Sequence, residues 1–159
     1  MPAQPFASRV DFEQALRGAF ALAAREGCAR IWLVDPDFEH WPLSEPGVND
    51  SLRRWGLAHR RLTLVAHHFD MFPRRHARFL AWRRSWSHIV ECRAWPKDEE
   101  GALPSLWLAP GLRMVRLLDS ARFRGVIDAD PDAMREWSGR CDVFSQRASP
   151  TFSAFVLGL

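Results

Sequence analysis

Two short apolar runs, residues 29–34 (Ala-Arg-Ile-Trp-Leu-Val) and 61–66 (Arg-Leu-Thr-Leu-Val-Ala), constrain the fold more than anything else in the chain. Each is too short for a core helix, lacks the alternation of a half-solvated strand, and is cut off by polar residues, so each reads as a strand covered on both faces. The stretch between them leaves room for a helix. Two buried strands joined in that way require a parallel, right-handed crossover.

The flanking patterns extend this unit. Phe12, Ala15, Leu16, Ala19, Phe20 and Ala23 recur at helical spacing, with Asp11 and Gln14 as a capping box and Gly27 as the stop. Residues 35–50 hold three prolines and five acids and read as a long loop, followed by a helix from Asn49 or Asp50 to Ala58. From Pro73 to Trp86, Phe72, His76, Phe79, Leu80, Trp82 and Trp86 trace one continuous helix with an arginine-rich outer face. Residues 87–95 then alternate like a strand. Shorter β-like runs follow at 105–108, 112–118 and 124–127, punctuated by Gly111 and Asp119-Ser120. Asp130-Pro131 opens a last helix that ends near Gly139, and the apolar tail, 152–159, reads as a docked strand or a partner-binding end. The sum is one α/β domain over residues 1–159, a mixed, mainly parallel sheet flanked by helices, with 1–9 as an N-terminal extension.

Composition excludes several classes of function. Cys28, Cys92 and Cys141 are odd in number, widely spaced and without a C-x-x-C pair, which argues against a disulfide framework or zinc knuckle and predicts a reducing, cytoplasmic setting. No apolar stretch reaches membrane-spanning length. The chain has no G-x-G-x-x-G, no P-loop and no G-x-S-x-G elbow, so no motif supports a dinucleotide, a nucleoside triphosphate or a serine nucleophile. All basic residues except Lys97 are arginine, as a GC-rich genome would give. Their placement is uneven: residues 53–93 carry ten arginines against Asp70 and Glu91, a local +8 in a chain of net charge +3.

Ligands of open parallel sheets collect beyond the carboxyl ends of the strands. Asp35 and Asp37 follow the first run, His67, His68 and Asp70 follow the second, and Trp41 borders them from the long loop. Arg74, Arg75 and Arg78 are the candidate anion contacts, interleaved with Phe79, Trp82 and Trp86 as in surfaces that hold phosphates and stack bases. A buried aromatic stripe with a solvated arginine face accounts for the same spacing.

The order of elements, with Val115 to Asp119 and Gly125-Val126-Ile127 as a late hairpin around an Asp-containing turn, resembles a single phospholipase-D-like domain of proteobacterial type in which the chemistry has been lost. Active members of that family carry His-x-Lys-x4-Asp, the His attacking phosphorus and the Lys holding phosphate oxygens. None of the six histidines here has a lysine two positions later; His59-Arg60-Arg61 and His76-Ala77-Arg78 come nearest and lie away from the hairpin. Four apolar residues before Asp35-Pro36-Asp37 also look like the nucleophile motif of haloacid-dehalogenase-like phosphotransferases, with Glu39 where that family has Thr.

The expectation is therefore a binding or interaction module for an anionic, phosphate-containing ligand, with no catalytic residue, cofactor or metal. The ligand region is Asp35, Asp37, Trp41, His67, His68 and Asp70; the partner expected is a small anion, and neither nucleic acid nor a membrane is expected. Two alternatives stand beside it: a metal-assisted or acid-base phosphoester hydrolase using Asp35 with His67 or His68, and a homodimer joined through 152–159.

Overall fold

The computed structural model describes residues 2–96 and 103–152. The two apolar runs form strands, β2 over Arg30–Val34 and β3 over Arg61–Ala66, paired in parallel with Ile31 opposite Leu62. Strand β4, Val90–Ala94, adds in parallel to the far side of β3. The crossover logic holds for these three strands.

The rest of the sheet departs from expectation. Strand β1 is Gln4–Ala7, β5 Leu106–Ala109, β6 Arg113–Asp119, β7 Arg124–Asp128 and β8 Ser149–Pro150, and the order across the sheet is β1-β7-β6-β5-β2-β3-β4-β8. Every pairing other than β2–β3 and β3–β4 is antiparallel, so the sheet is mixed but mostly antiparallel rather than mainly parallel. The cause lies in the second half of the chain. Short turns make β5, β6 and β7 a meander, which can only be antiparallel, and the first of them docks against β2 with Leu33 opposite Trp107. Residues 4–7 are no extension either: Phe6 sits opposite Gly125 on the sheet edge. A Cβ at Gly125 would lie 2.3 Å from the Arg116 carbonyl oxygen and 2.6 Å from Phe6 Cζ, so only glycine lets the Phe6 ring cross β7 there.

Helix α1, Arg9–Glu26, begins a turn earlier than Asp11 suggests, because Ser8 is the cap and its hydroxyl accepts from the Asp11 amide at 3.1 Å. Gly27 ends it in the left-handed conformation, φ 74°. Helix α2, Pro46–Trp55, starts ahead of the expected Asn49 or Asp50 and takes Pro46 into its first turn; the Asn49 amide donates to the carbonyls of Leu43 and Glu45 at 2.7 and 3.3 Å. The expected single helix over 73–86 is two, α3 (Phe72–Arg75) and α4 (Ala77–Ser85), broken at His76. Helix α5, Pro131–Arg147, runs past Gly139, which meets nothing, to bury Cys141 and set Phe144 edge-on to Trp95.

Alternation along the strands divides the core into two layers. Ile31, Leu33, Leu62 and Leu64 face α1, α2 and α4, while Trp32, Val34, Val65 and Met114 face α5. No helix among the described residues is long and apolar enough to cross a membrane, and all three cysteines are free. Residues 153–159 of the apolar tail, and most of the acidic loop after Pro96, lie outside the described residues.

Candidate functional site

Among the described residues, the six candidates around the strand ends divide between a buried turn and two depressions. Asp35, at the end of β2, is buried on the α1 side, where its Oδ2 accepts from the amides of Asp37 (3.1 Å) and Phe38 (2.7 Å) and its Oδ1 accepts from the Ser105 hydroxyl. Burial pushes this carboxyl above the ordinary range, against the pull of Ser105, the two amides and the nearby Trp41 indole. Asp37 repeats the turn geometry one step on, accepting from the Glu39 amide at 2.9 Å. The tight turn leaves Phe38 buried at φ 62°, an unusual conformation for a bulky residue.

That strained carbonyl is held from the opposite side. His76 Nε2 donates to the Phe38 oxygen at 2.8 Å, which is why the chain leaves helical geometry at His76 and divides α3 from α4. The imidazole is 2% exposed, and its Nδ1 has no partner among the described residues. Burial, with Arg75 adding repulsion, lowers its pKa. Asp35, Phe38 and His76 thus form a chain of hydrogen bonds that ties β5, through Ser105, to the start of α4.

His67 belongs elsewhere. It lies just beyond the end of β3, and its Nδ1 donates to the Trp95 carbonyl at 2.9 Å. No hydrogen bond among the described residues joins Asp35 to His67 or His68. His67, His68 and Asp70 line a cavity of about 340 Å³ with Phe69, Pro73 and Phe152, in which His68 Nδ1 and the Asp70 carboxylate stand 3.4 Å apart. Trp41 borders a smaller depression of about 210 Å³ where Glu13, Glu39 and Glu45 meet Arg9 and Arg75. Among the described residues no three His, Cys, Asp or Glu side chains are grouped to hold a metal.

The three candidate anion contacts also separate. Arg75 is committed to Glu39, at 3.8 Å from its carboxylate. Arg78 reaches the Ser44 carbonyl at 3.3 Å and borders a groove of about 490 Å³ between α2 and α4, while Arg74 is exposed. Asn49 and Arg53 of α2 form one wall of that groove, and Ala81, Trp82, Ser85 and Trp86 of α4 the other. Sequence reading missed Asn49, Arg53 and Ser105 as site residues. A half-buried Trp86 beside arginines was visible, but the wall that faces it comes from a helix whose start was misplaced.

At the β6–β7 turn, Asp119 is partly exposed and its Oδ1 accepts from the Arg122 amide at 3.3 Å. Five and seven positions earlier stand Met114, wholly buried, and Leu112, half-buried.

No protein-family model matches the chain, and no curated protein matches it. Solved structures do. TrmBL2, an archaeal chromatin protein described as showing a novel mode of DNA binding, superimposes with a TM-score of 0.67 at 13% identity over 95% of this chain. This chain spans about half, 54%, of the length of that one. NucT from Helicobacter pylori gives 0.62 at 5% identity over 94% of this chain and 99% of its own. Nuc from Salmonella typhimurium, a phospholipase D family member, gives 0.57 at 9% identity over 96% of this chain and 100% of its own. Identities this low speak for the fold alone, and that fold is phospholipase-D-like.

Proposed function

Taking the phospholipase-D-like fold as premise, we propose that this chain is a non-catalytic binding module for a phosphate-containing anionic partner. One observation carries it. Counted back from Asp119 in the β6–β7 hairpin, the spacing His-x-Lys-x4-Asp puts Leu112 where the nucleophile would stand and Met114 where the phosphate-holding lysine would stand. Neither side chain can attack phosphorus or hold its oxygens, and Met114 is packed into the α5 layer.

Charge supplies the ligand class. On α3 and α4, Arg74, Arg78, Arg83 and Arg84 enter no ion pair among the described residues, and all but Arg83 are exposed. Exposed guanidiniums such as those of Arg74, Arg78 and Arg84 favour phosphate through planar, two-pronged hydrogen bonding. The likeness to a chromatin protein adds weight to a polyanionic partner. The hydrolase alternative draws less support, since Asp35 has both oxygens engaged and no hydrogen bond among the described residues joins it to His67 or His68.

Two measurements test the proposal together. Incubation with a phosphodiester substrate, with and without divalent metals, should give no turnover above buffer. Binding of labelled oligonucleotides and phosphorylated small molecules should weaken steeply as salt rises from about 50 to about 300 mM, as counterion release requires. Turnover abolished by Asp119→Asn, or the absence of salt-sensitive binding to any phosphate ligand, would overturn it.

A further inference from the structure

The groove between α2 and α4 has a composition that a solvated arginine face does not explain. Its floor is aromatic and apolar: Trp82, 7% exposed, half-buried Trp86, Ala81 and Pro46. Its rims are cationic, Arg53 on α2 with 68% of its side chain exposed and Arg78 on α4. Between them sits Asn49, 8% exposed, whose Nδ2 is used by Leu43 and Glu45, and whose Oδ1 accepts no hydrogen bond from the described residues. At the groove wall that oxygen is an acceptor left for water or a ligand.

The groove is also shaped by a single close approach. A Cβ on Gly56, just after α2, would meet the Leu52 carbonyl oxygen at 3.2 Å, Trp82 Cζ2 at 3.4 Å and Trp86 Cδ2 at 3.5 Å. Both indoles thus lie against the backbone at the end of α2, within van der Waals reach of Gly56. Further cationic groups lie outside it, Arg54 on α2 and Arg84 on α4, both exposed. One phosphate does not need that many.

We infer that this groove seats one nucleotide unit of a single-stranded nucleic acid, the base against the Trp82 and Trp86 floor and the adjoining phosphates between Arg53 and Arg78. The volume, about 490 Å³, suits one nucleotide. An aromatic floor takes any base by its π-face, and arginines along the rims follow the backbone. The base must be unpaired to enter, which selects a single strand over a duplex. Asn49 Oδ1 stands as an acceptor for a base N–H. The inference rests on the proposed binding function and narrows it to a partner and a place.

The test uses fluorescence anisotropy of a labelled oligothymidine of about ten nucleotides at low salt, with the intact chain and folding checked by circular dichroism. Ser85→Trp, at an exposed position, fills the groove without touching its charge, and the double variant Arg53→Ala with Arg78→Ala removes the charge without filling it. Each should weaken binding at least tenfold, the scale of one lost stacking or phosphate contact, while Arg147→Ala, exposed on α5 in the opposite layer, changes it less than threefold. Thymidine monophosphate and a duplex of equal length should both compete poorly. Oligonucleotide binding that survives the groove variants overturns the inference and leaves the broader function standing. Equal binding of the mononucleotide or the duplex overturns the single-strand assignment. Phosphorylated small ligands that bind where the oligonucleotide does not would end the inference alone, whereas silence of every phosphate ligand would end both.

Discussion

Replacement of Asp35 separates a structural carboxylate from a reacting one. Truncation to alanine strips acceptors from three donors at once, the amides of Asp37 and Phe38 and the Ser105 hydroxyl, in a pocket where Phe38 and Ser105 are buried. An unmet buried donor costs roughly 1–3 kcal/mol, and the Asp37 amide, partly buried, recovers some of this from water, so Asp35→Ala should destabilise by about 3–5 kcal/mol. Asp35→Asn keeps one oxygen for the two amides, and its Nδ2 can donate to Ser105 once the hydroxyl turns. Its cost at neutral pH should be under about 1 kcal/mol. The pH dependence has a definite sign. Because folding raises this carboxyl's pKa, its contribution to stability is complete below the unfolded value and declines as pH rises through the raised folded value. Asparagine does not titrate there, so the comparison between wild type and Asp35→Asn should move in favour of asparagine from about pH 4 towards pH 7. Urea unfolding followed by circular dichroism at several pH values measures both effects. An Asn variant as damaged as the Ala variant, or an Ala variant within about 1 kcal/mol of wild type, would refute the reasoning.

Other consequences are as direct. Gly125→Ala should cost about 2–4 kcal/mol in the same assay, and Phe6→Ala should not rescue it, since the carbonyl of Arg116 remains 2.3 Å from the new methyl group. For His76, whose pKa is lowered in the fold, stability should be fully present above the unfolded value near pH 6.5 and fall as the pH drops below it; His76→Gln should flatten that slope while keeping a donor for Phe38. Cys92 and Cys141 have thiols pushed up to about 12 by burial, so a thiol reagent at about pH 8 should leave both unlabelled in the native protein and label all three cysteines after unfolding.

The parallel core was legible because its signal is local. A run such as Ile31 to Val34, apolar on both faces and bounded by polar residues, has few other ways to be satisfied. Residues 106–109 are equally apolar on both faces, but nothing in such a run records whether its neighbour lies parallel or antiparallel, so the direction of β5 against β2 waits on the meander that follows. Strand β1 was invisible for another reason. Gln4-Pro5-Phe6-Ala7 has no buried face of its own, and it is admitted only because Gly125, far along the chain, leaves a gap for Phe6. The candidate site shows the same limit: Asp35 and His67 are close in the pattern of strand ends, but no local spacing records that Asp35 is held by Ser105 and His67 by the Trp95 carbonyl. Asn49 and Trp86, by contrast, share a groove that depends on two helices packing, which no local spacing encodes.

The order in which the sheet is assembled differs from the order in which the chain is made. Helix α1 packs chiefly on α2 and also on β5, β6 and β7, so part of its cover is supplied by strands far along the chain. During translation the apolar face of Phe12, Leu16 and Phe20 stays incompletely covered until residues 106–128 arrive. Pairings such as Gln4 with Ile127 and Ala94 with Ser149 close very long loops, placing the chain among the slower folders. A nascent chain of this design spends that interval with part of the apolar face of α1 open, which makes that face a natural handhold for a chaperone.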